Sequence, residues 1–170
     1  AIYPNVNDYG MTNTVAFTIT GNCTINWGDG SALENVASGV KAEHLYNYDD
    51  ISAGTLCTRG YRQVIITIIP QAGQNITNMQ FGGRHTSVVF GRSFSQWLDF
   101  NISGTELTTF RFDSATTYPN LLEKVKAVQS TNKCTNMSLM FNNCFSLQSL
   151  NLSSFNTAAV TNMSSMFANC

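Results

Sequence analysis

The chain has 170 residues, 43% hydrophobic and 11% charged, with nine basic and ten acidic side chains and a net charge of -1. That length carries one full core or two small ones, and the near-neutral balance excludes the basic footprint of a nucleic-acid or anionic-membrane binder. The polar remainder is rich in Asn, Thr and Ser, which suit turns and strands, so the chain reads as folded beneath an uncharged polar skin.

The opening "AIYPNVNDYG" lacks the basic and apolar segments of a signal peptide. Either a signal is removed upstream or export does not use one. In "TVAFTIT", Val15, Phe17 and Ile19 alternate with Thr14, Ala16, Thr18 and Thr20, the period of a half-buried strand. A second strand, "CTINW", runs into "GDGS", whose glycines and Asp29 supply a tight turn and predict a hairpin. "RQVIITIIP" carries β-branched residues on both faces from Val64 to Ile69 and is expected centrally in a sheet, with Pro70 ending it. It is also the longest apolar run, far short of the roughly 18 residues that span a bilayer. Short strands joined by Gly-, Asn- and Asp-rich connections predict an antiparallel β-sandwich, and a first domain is assigned to residues 1–80.

Asp29, Asp49 and Asp50 do not form the D-x-D-x-D-G loop that calcium requires, and no metal or cofactor is expected. His44 reads as a satisfied core or turn histidine. The residues "INWGDGS" and "HLYNYDD" resemble the W-G-D-G and H-x-Y pair of polycystic kidney disease (PKD) type repeats, an immunoglobulin-like sandwich of extracellular proteins. Trp27, Gly28, Asp29, Gly30, His44 and Tyr46 carry the match, over roughly Val15 to Pro70. The resemblance implies a spacer or ligand-presenting module. The Cys-containing insert after Tyr46 departs from the pattern and leaves the strand order there open.

The second half repeats itself. "TNMSLMFNNC", which begins at Thr135, returns as "TNMSSMFANC" from Thr161, and such self-similarity at a fixed offset is the mark of a solenoid. The expected repeat core is Met137, Met140, Phe141 and Cys144, then Leu147, Leu150, Leu152 and Phe155, then Met163, Met166, Phe167 and Cys170. "NMSLMF" is expected as a short helical turn. Weaker copies are traced in "LTTFRF" (Leu107, Phe110, Phe112) and "LLEKVKA" (Leu122, Val125, Ala127), with "WLDFNIS" as a capping strand. Their uneven spacing, a short step from Leu107 to Leu122 and a longer one on to Leu147, suggests terminal repeats adapted to the sandwich. A second domain is assigned to residues 81–170, with the last coil's strand unwritten at Cys170, so that further repeats or another chain would cover its edge. In register, these residues resemble the BspA-type leucine-rich repeats of bacterial surface proteins, modules that also accompany W-G-D-G sandwiches in tailed-phage proteins. The resemblance implies adhesion to host proteins, glycans or cells.

Five cysteines without a C-x-x-C pair argue against zinc and against a full disulfide framework, although a Cys23–Cys57 bridge stays open. Cys144 and Cys170 fill one slot a repeat apart and read as free structural thiols, with a disulfide as the alternative. No Ser/His/Asp or Cys/His constellation, paired carboxylates or phosphate loop has useful spacing, so an enzyme is not expected. Tyr61, Trp97, Phe110 and Tyr118 are candidate platforms on which sugar rings could stack. The fold expected is mainly β, a PKD-like sandwich followed by a leucine-rich-repeat solenoid. The function expected is that of a phage virion surface protein, a tail fibre or capsid decoration, with a bacterial surface adhesin as the alternative. Its expected partners are other virion or surface chains, further copies of itself and a host receptor or glycan, with no nucleic acid and no membrane insertion.

Overall fold

The alternating segment Thr14–Thr20 forms β1 over its whole length in the computed structural model, which describes residues 1–4, 13–88, 97–103, 106–112, 121–127 and 133–170. β2 (Cys23–Asn26), β3 (Glu34–Val36), β4 (Lys41–Leu45), β5 (Thr67–Pro70) and β6 (Asn78–Gln80) follow. Beyond them come β7 (Asp99–Ile102), β8 (Thr109–Arg111), β9 (Lys124–Ala127) and β10 (Ser149–Asn151), so the protein is mainly β. The strands make three sheets, ordered β4-β1-β6-β8, β3-β2-β5 and β10-β9-β7.

The chain leaves β1 for a different sheet at Gly21, whose φ is 117° and whose missing Cβ would sit 2.2 Å from the Asn75 carbonyl oxygen. Only glycine fits that crossing. β2 then pairs antiparallel with β3, Cys23 opposite Val36, as the Gly-Asp-Gly turn predicts. The two sheets meet through Phe17 of β1 and Trp27 just beyond β2, with ring centroids 5.7 Å apart, an arrangement consistent with a β-sandwich.

β5 is not central. Among the described residues it pairs only with β2 and lies at the edge of its sheet, a position that tolerates Pro70 without its N–H. Ile65 is 82% exposed and Ile69 57% exposed, whereas Val64, Ile66 and Ile68 pack against the core. The run is a half-buried edge segment that happens to carry isoleucine on its open face.

In the second half the chain winds between two parallel ladders. One joins β7, β9 and β10 in even steps, Asp99 opposite Lys124 and Lys124 opposite Ser149. The other runs from Met79 to Phe110, then from Thr109 to Asn136 and from Asn136 to Asn162. "LTTFRF" and "LLEKVKA" therefore lie on different ladders, and the short step from Leu107 to Leu122 compares opposite sides of the winding. "WLDFNIS" supplies β7, the outer strand of the first ladder.

"NMSLMF" forms successive turns with bonds such as Met140 N–H to Met137 C=O rather than a helix. Leu139 and Asn143 take φ of 58° and 59°, and Ser165 and Asn169 do the same in the next copy of the sequence repeat at 54° and 59°. Left-handed residues at that spacing interrupt any helix. One repeat bonds to the next through Met137 N–H to Asn162 C=O, Phe141 N–H to Met166 C=O and Asn143 N–H to Ala168 C=O, all 2.8–2.9 Å.

A ladder of rings runs along this axis: Phe81 on Phe112 at 5.6 Å, Phe112 on Phe141 at 6.0 Å and Phe141 on Phe167 at 5.6 Å, all stacked. The buried core is contiguous from Ile2 to Met166. The boundary assigned between residues 80 and 81 follows directly on β6, which pairs with β8 from beyond it.

Candidate functional site

The W-G-D-G turn and the H-x-Y strand converge on one cluster. Asn26 at the end of β2 accepts the Gly28 N–H at 2.9 Å, and Gly28 turns at φ 81° where a Cβ would meet the Ile65 carbonyl oxygen at 2.3 Å. Gly30 turns in open space. The turn aims Asp29 at β4, placing its Oδ2 2.6 Å from His44 Nε2, while Oδ1 accepts both the N–H (3.0 Å) and the hydroxyl (2.6 Å) of Ser31. The His44 ring stacks on Trp27 at 4.7 Å and meets Tyr46 edge-on at 4.6 Å. Tyr46 donates its hydroxyl to the Trp27 carbonyl at 2.9 Å, and Trp27 Nε1 donates to Glu34 of β3 at 2.8 Å.

Burial works to raise the Asp29 carboxyl, but hydrogen bonds from Ser31 and His44 outweigh it and hold the group down at about 2. Burial pushes the Tyr46 phenol up, and the Asp29 charge adds to that. Ser31, Asp29 and His44 do not make a nucleophile relay, because the serine hydroxyl is bonded to the carboxylate and not to the imidazole. The cluster is a clamp that fastens the β2–β3 hairpin to β4 across the two sheets.

The repeat residues divide by position. Met137, Met140, Phe141 and Cys144 are fully buried and Met166 nearly so, while Leu147, Leu150, Leu152 and Phe155 pack half-buried against the core. Met163 and Phe167 are each 47% exposed and Cys170 is exposed, contrary to their expected place in the core. They repeat the register of Met137, Phe141 and Cys144, but their outer side has no neighbour among the described residues. None of the five cysteines forms a disulfide, so Cys23 and Cys57 are unbridged. Burial, with the Cys170 charge adding, pushes the Cys144 thiol up to about 12, which makes it a packing group and not a nucleophile.

Of the expected ring platforms, Tyr61 and Phe110 present no open face. Tyr61 is buried beside Tyr3, Phe110 is buried, and Trp97 is wedged against Phe17, Phe81 and Phe100 with its Nε1 donating to the Phe81 carbonyl at 3.2 Å. Tyr118 lies outside the described residues. The open ring that sequence reasoning missed is Phe145, 51% exposed.

A cleft of about 1430 Å³ separates β5 from the β10-β9-β7 sheet. Strand alternation sends Phe100, Ile102, Val125 and Leu150 to the core and leaves Asp99, Asn101, Lys124, Lys126, Ser149 and Asn151 exposed. Parallel pairing aligns these as two rows across the sheet, Asp99–Lys124–Ser149 and Asn101–Lys126–Asn151, and all six residues line the cleft together with Phe100, Ile102 and Val125. The opposite wall is the segment from Gln63 to Pro70. The rows bring donors, acceptors and charge together on one sheet.

Residues 79–170 match the family described as Mycoplasma protein of unknown function, DUF285. The chain belongs to the DUF285 family. The DUF285 region begins within β6 and takes in every strand of the β10-β9-β7 sheet and both repeats, while the W-G-D-G clamp lies ahead of it. No curated protein and no solved structure matches the chain.

Proposed function

We propose that this chain is a non-enzymatic surface protein of a phage virion, a tail fibre or capsid decoration, whose repeats form an adhesive leucine-rich-repeat solenoid of the BspA type. The observation that carries the adhesive reading is the pair of polar rows facing the cleft, held in register by a buried core. The even winding of the first ladder and the repeated left-handed turns support the solenoid. The clamp of Trp27, Asp29, His44 and Tyr46 supports a PKD-like sandwich that acts as a rigid spacer. Five cysteines outside any disulfide, of which Cys23, Cys134 and Cys144 are buried, support assembly in a reducing cytosol. The partners are other virion chains, including further copies of this one, and a host receptor or glycan.

A second reading, a cell-surface adhesin, is favoured by the description of the matched family as a Mycoplasma protein. Mass spectrometry of the native particle separates the two. Fixed stoichiometry with capsid or tail proteins is the expected result. Recovery in a cell-surface fraction with no viral partner would overturn the virion reading and leave the adhesin.

A further inference from the structure

We infer that the cleft binds a carboxylated glycan, with Lys124 and Lys126 holding its acid groups and Asn101 and Asn151 its hydroxyls. This rests on the adhesive reading of the same rows and adds the ligand class. Lys124 and Lys126 sit two apart on the central strand β9, so both project from one face about 6.6 Å apart along the strand. Both are exposed, and among the described residues neither belongs to an ion pair, whereas Lys41, Arg59 and Lys133 each hold a carboxylate. The central strand of the polar face thus keeps two cations for an outside partner in a chain whose net charge is -1.

Lys126 is flanked in register by Asn101 on one side and Asn151 on the other, two side-chain amides that can each donate and accept at once. An amide–ammonium–amide row fits a substituent pattern of hydroxyl, carboxylate, hydroxyl. The six row residues contain no arginine, so an acid group there is held by ammonium point charges and amide hydrogen bonds and not by bidentate forks. The isoleucine-bearing wall opposite offers an apolar surface to the C–H face of a sugar ring, and the cleft volume of about 1430 Å³ admits an oligosaccharide.

Glu106 also lines the cleft but holds Lys133, whereas Asp99, opposite Lys124 in the first row, is the anion of the rows that repels such a ligand. It supplies a test that loss of folding cannot mimic, because Asp99→Asn should tighten binding. Calorimetric titration with oligogalacturonate and with hyaluronan oligosaccharide, against malto-oligosaccharide of equal length, reads the preference. The carboxylated probes are expected to bind, more weakly as salt rises. Lys124→Gln and Lys126→Gln should each weaken binding about tenfold, and Asp99→Asn should strengthen it severalfold. Equal binding of the neutral probe, indifference to the lysines, or no binding of either acidic probe overturns the inference. Adhesion of the wild-type chain to host cells is scored in parallel. Attachment that survives Lys124→Gln/Lys126→Gln leaves the adhesive reading standing without the acidic ligand, and no attachment at all removes both.

Discussion

The ring ladder gives a graded test of how the two halves are held together. Phe112 is 1% exposed and touches Phe81, Phe100, Phe110 and Phe141 at 4.8–6.0 Å. Truncation to alanine there leaves a cavity walled by rings that cannot close in, so the cost sits near the upper end for a buried phenylalanine, about 5 kcal/mol. Phe141 is equally buried, but one of its stacking partners is the half-exposed Phe167, which can settle inward, and about 3 kcal/mol is expected. Phe167→Ala removes a ring already 47% exposed and should cost about 1 kcal/mol. Urea denaturation followed by far-UV circular dichroism gives the order. Trp27 fluorescence in a Trp97→Phe background reports on the first half. Because β6 pairs with β8 and the core is contiguous, Phe141→Ala is expected to lower both midpoints together. A Trp27 midpoint that stays fixed while the dichroism midpoint falls would refute the shared core, and a flat series across the three rings would refute the cavity reasoning.

The clamp makes its own predictions. Tyr46→Phe leaves the Trp27 carbonyl without its buried donor and should cost about 1–2 kcal/mol by the same denaturation assay. Gly28→Ala forces a Cβ to 2.3 Å from the Ile65 carbonyl at a left-handed φ and should cost on the order of 3 kcal/mol, while the same change at Gly30, which meets nothing, costs only the left-handed strain of about 1 kcal/mol. The Asp29 carboxyl lies at about 2 when folded, below the roughly 3.9 of an unfolded aspartate, so the folded state binds fewer protons. Its contribution is complete above pH of about 5 and is lost as pH falls through about 2, amounting to about 1 kcal/mol after solvent screening. Glu43, where hydrogen bonds from Lys41 and Thr86 outweigh burial and also hold the carboxyl at about 2, titrates in the same window. The difference between wild type and Asp29→Asn across an acid series isolates the Asp29 share.

What could be read in advance was local. β1 declared itself by alternation, the β2–β3 hairpin by Gly-Asp-Gly, and the repeat from Thr135 to Thr161 by identity, because each depends on short strings read directly. The placement of β5 could not be read this way. β-Branched residues on both faces suit a central strand and an edge strand alike, and only the absence of a second partner among the described residues decides. The parallel ladders were misread for a related reason: Leu107, Phe110 and Phe112 carry the same apolar spacing as Leu122 and Val125, although one set faces the β6 ladder and the other the β7 ladder. Burial of Met163 and Phe167 is a property of what lies beyond them, so their identity with Met137 and Phe141 did not bring the same environment. The cleft had a faint signal, the alternation of polar and apolar residues in "DFNI", "KVKA" and "SLN", yet nothing in those short strings fixes which strand lies beside which.

That separation of inward and outward positions bears on how such a surface could change its ligand. On β9 the buried Val125 lies between Lys124 and Lys126, so one strand alternates a core residue with the exposed lysines proposed to hold the ligand. Substitutions at the outward rows should stay within about 0.5 kcal/mol of wild type, since no buried contact is lost. The inward rings tolerate no such freedom, at about 3–5 kcal/mol each for the buried ones. A chain built this way can exchange Asp99, Lys124 or Asn151 for other polar side chains without unfolding. The register that aligns them is fixed by Phe100, Val125 and Leu150 behind them. The stability of the repeats and the chemistry of the exposed rows are therefore set by different residues of the same strands, and variation confined to the six outward positions is expected to alter the proposed binding while leaving the denaturation midpoint in place.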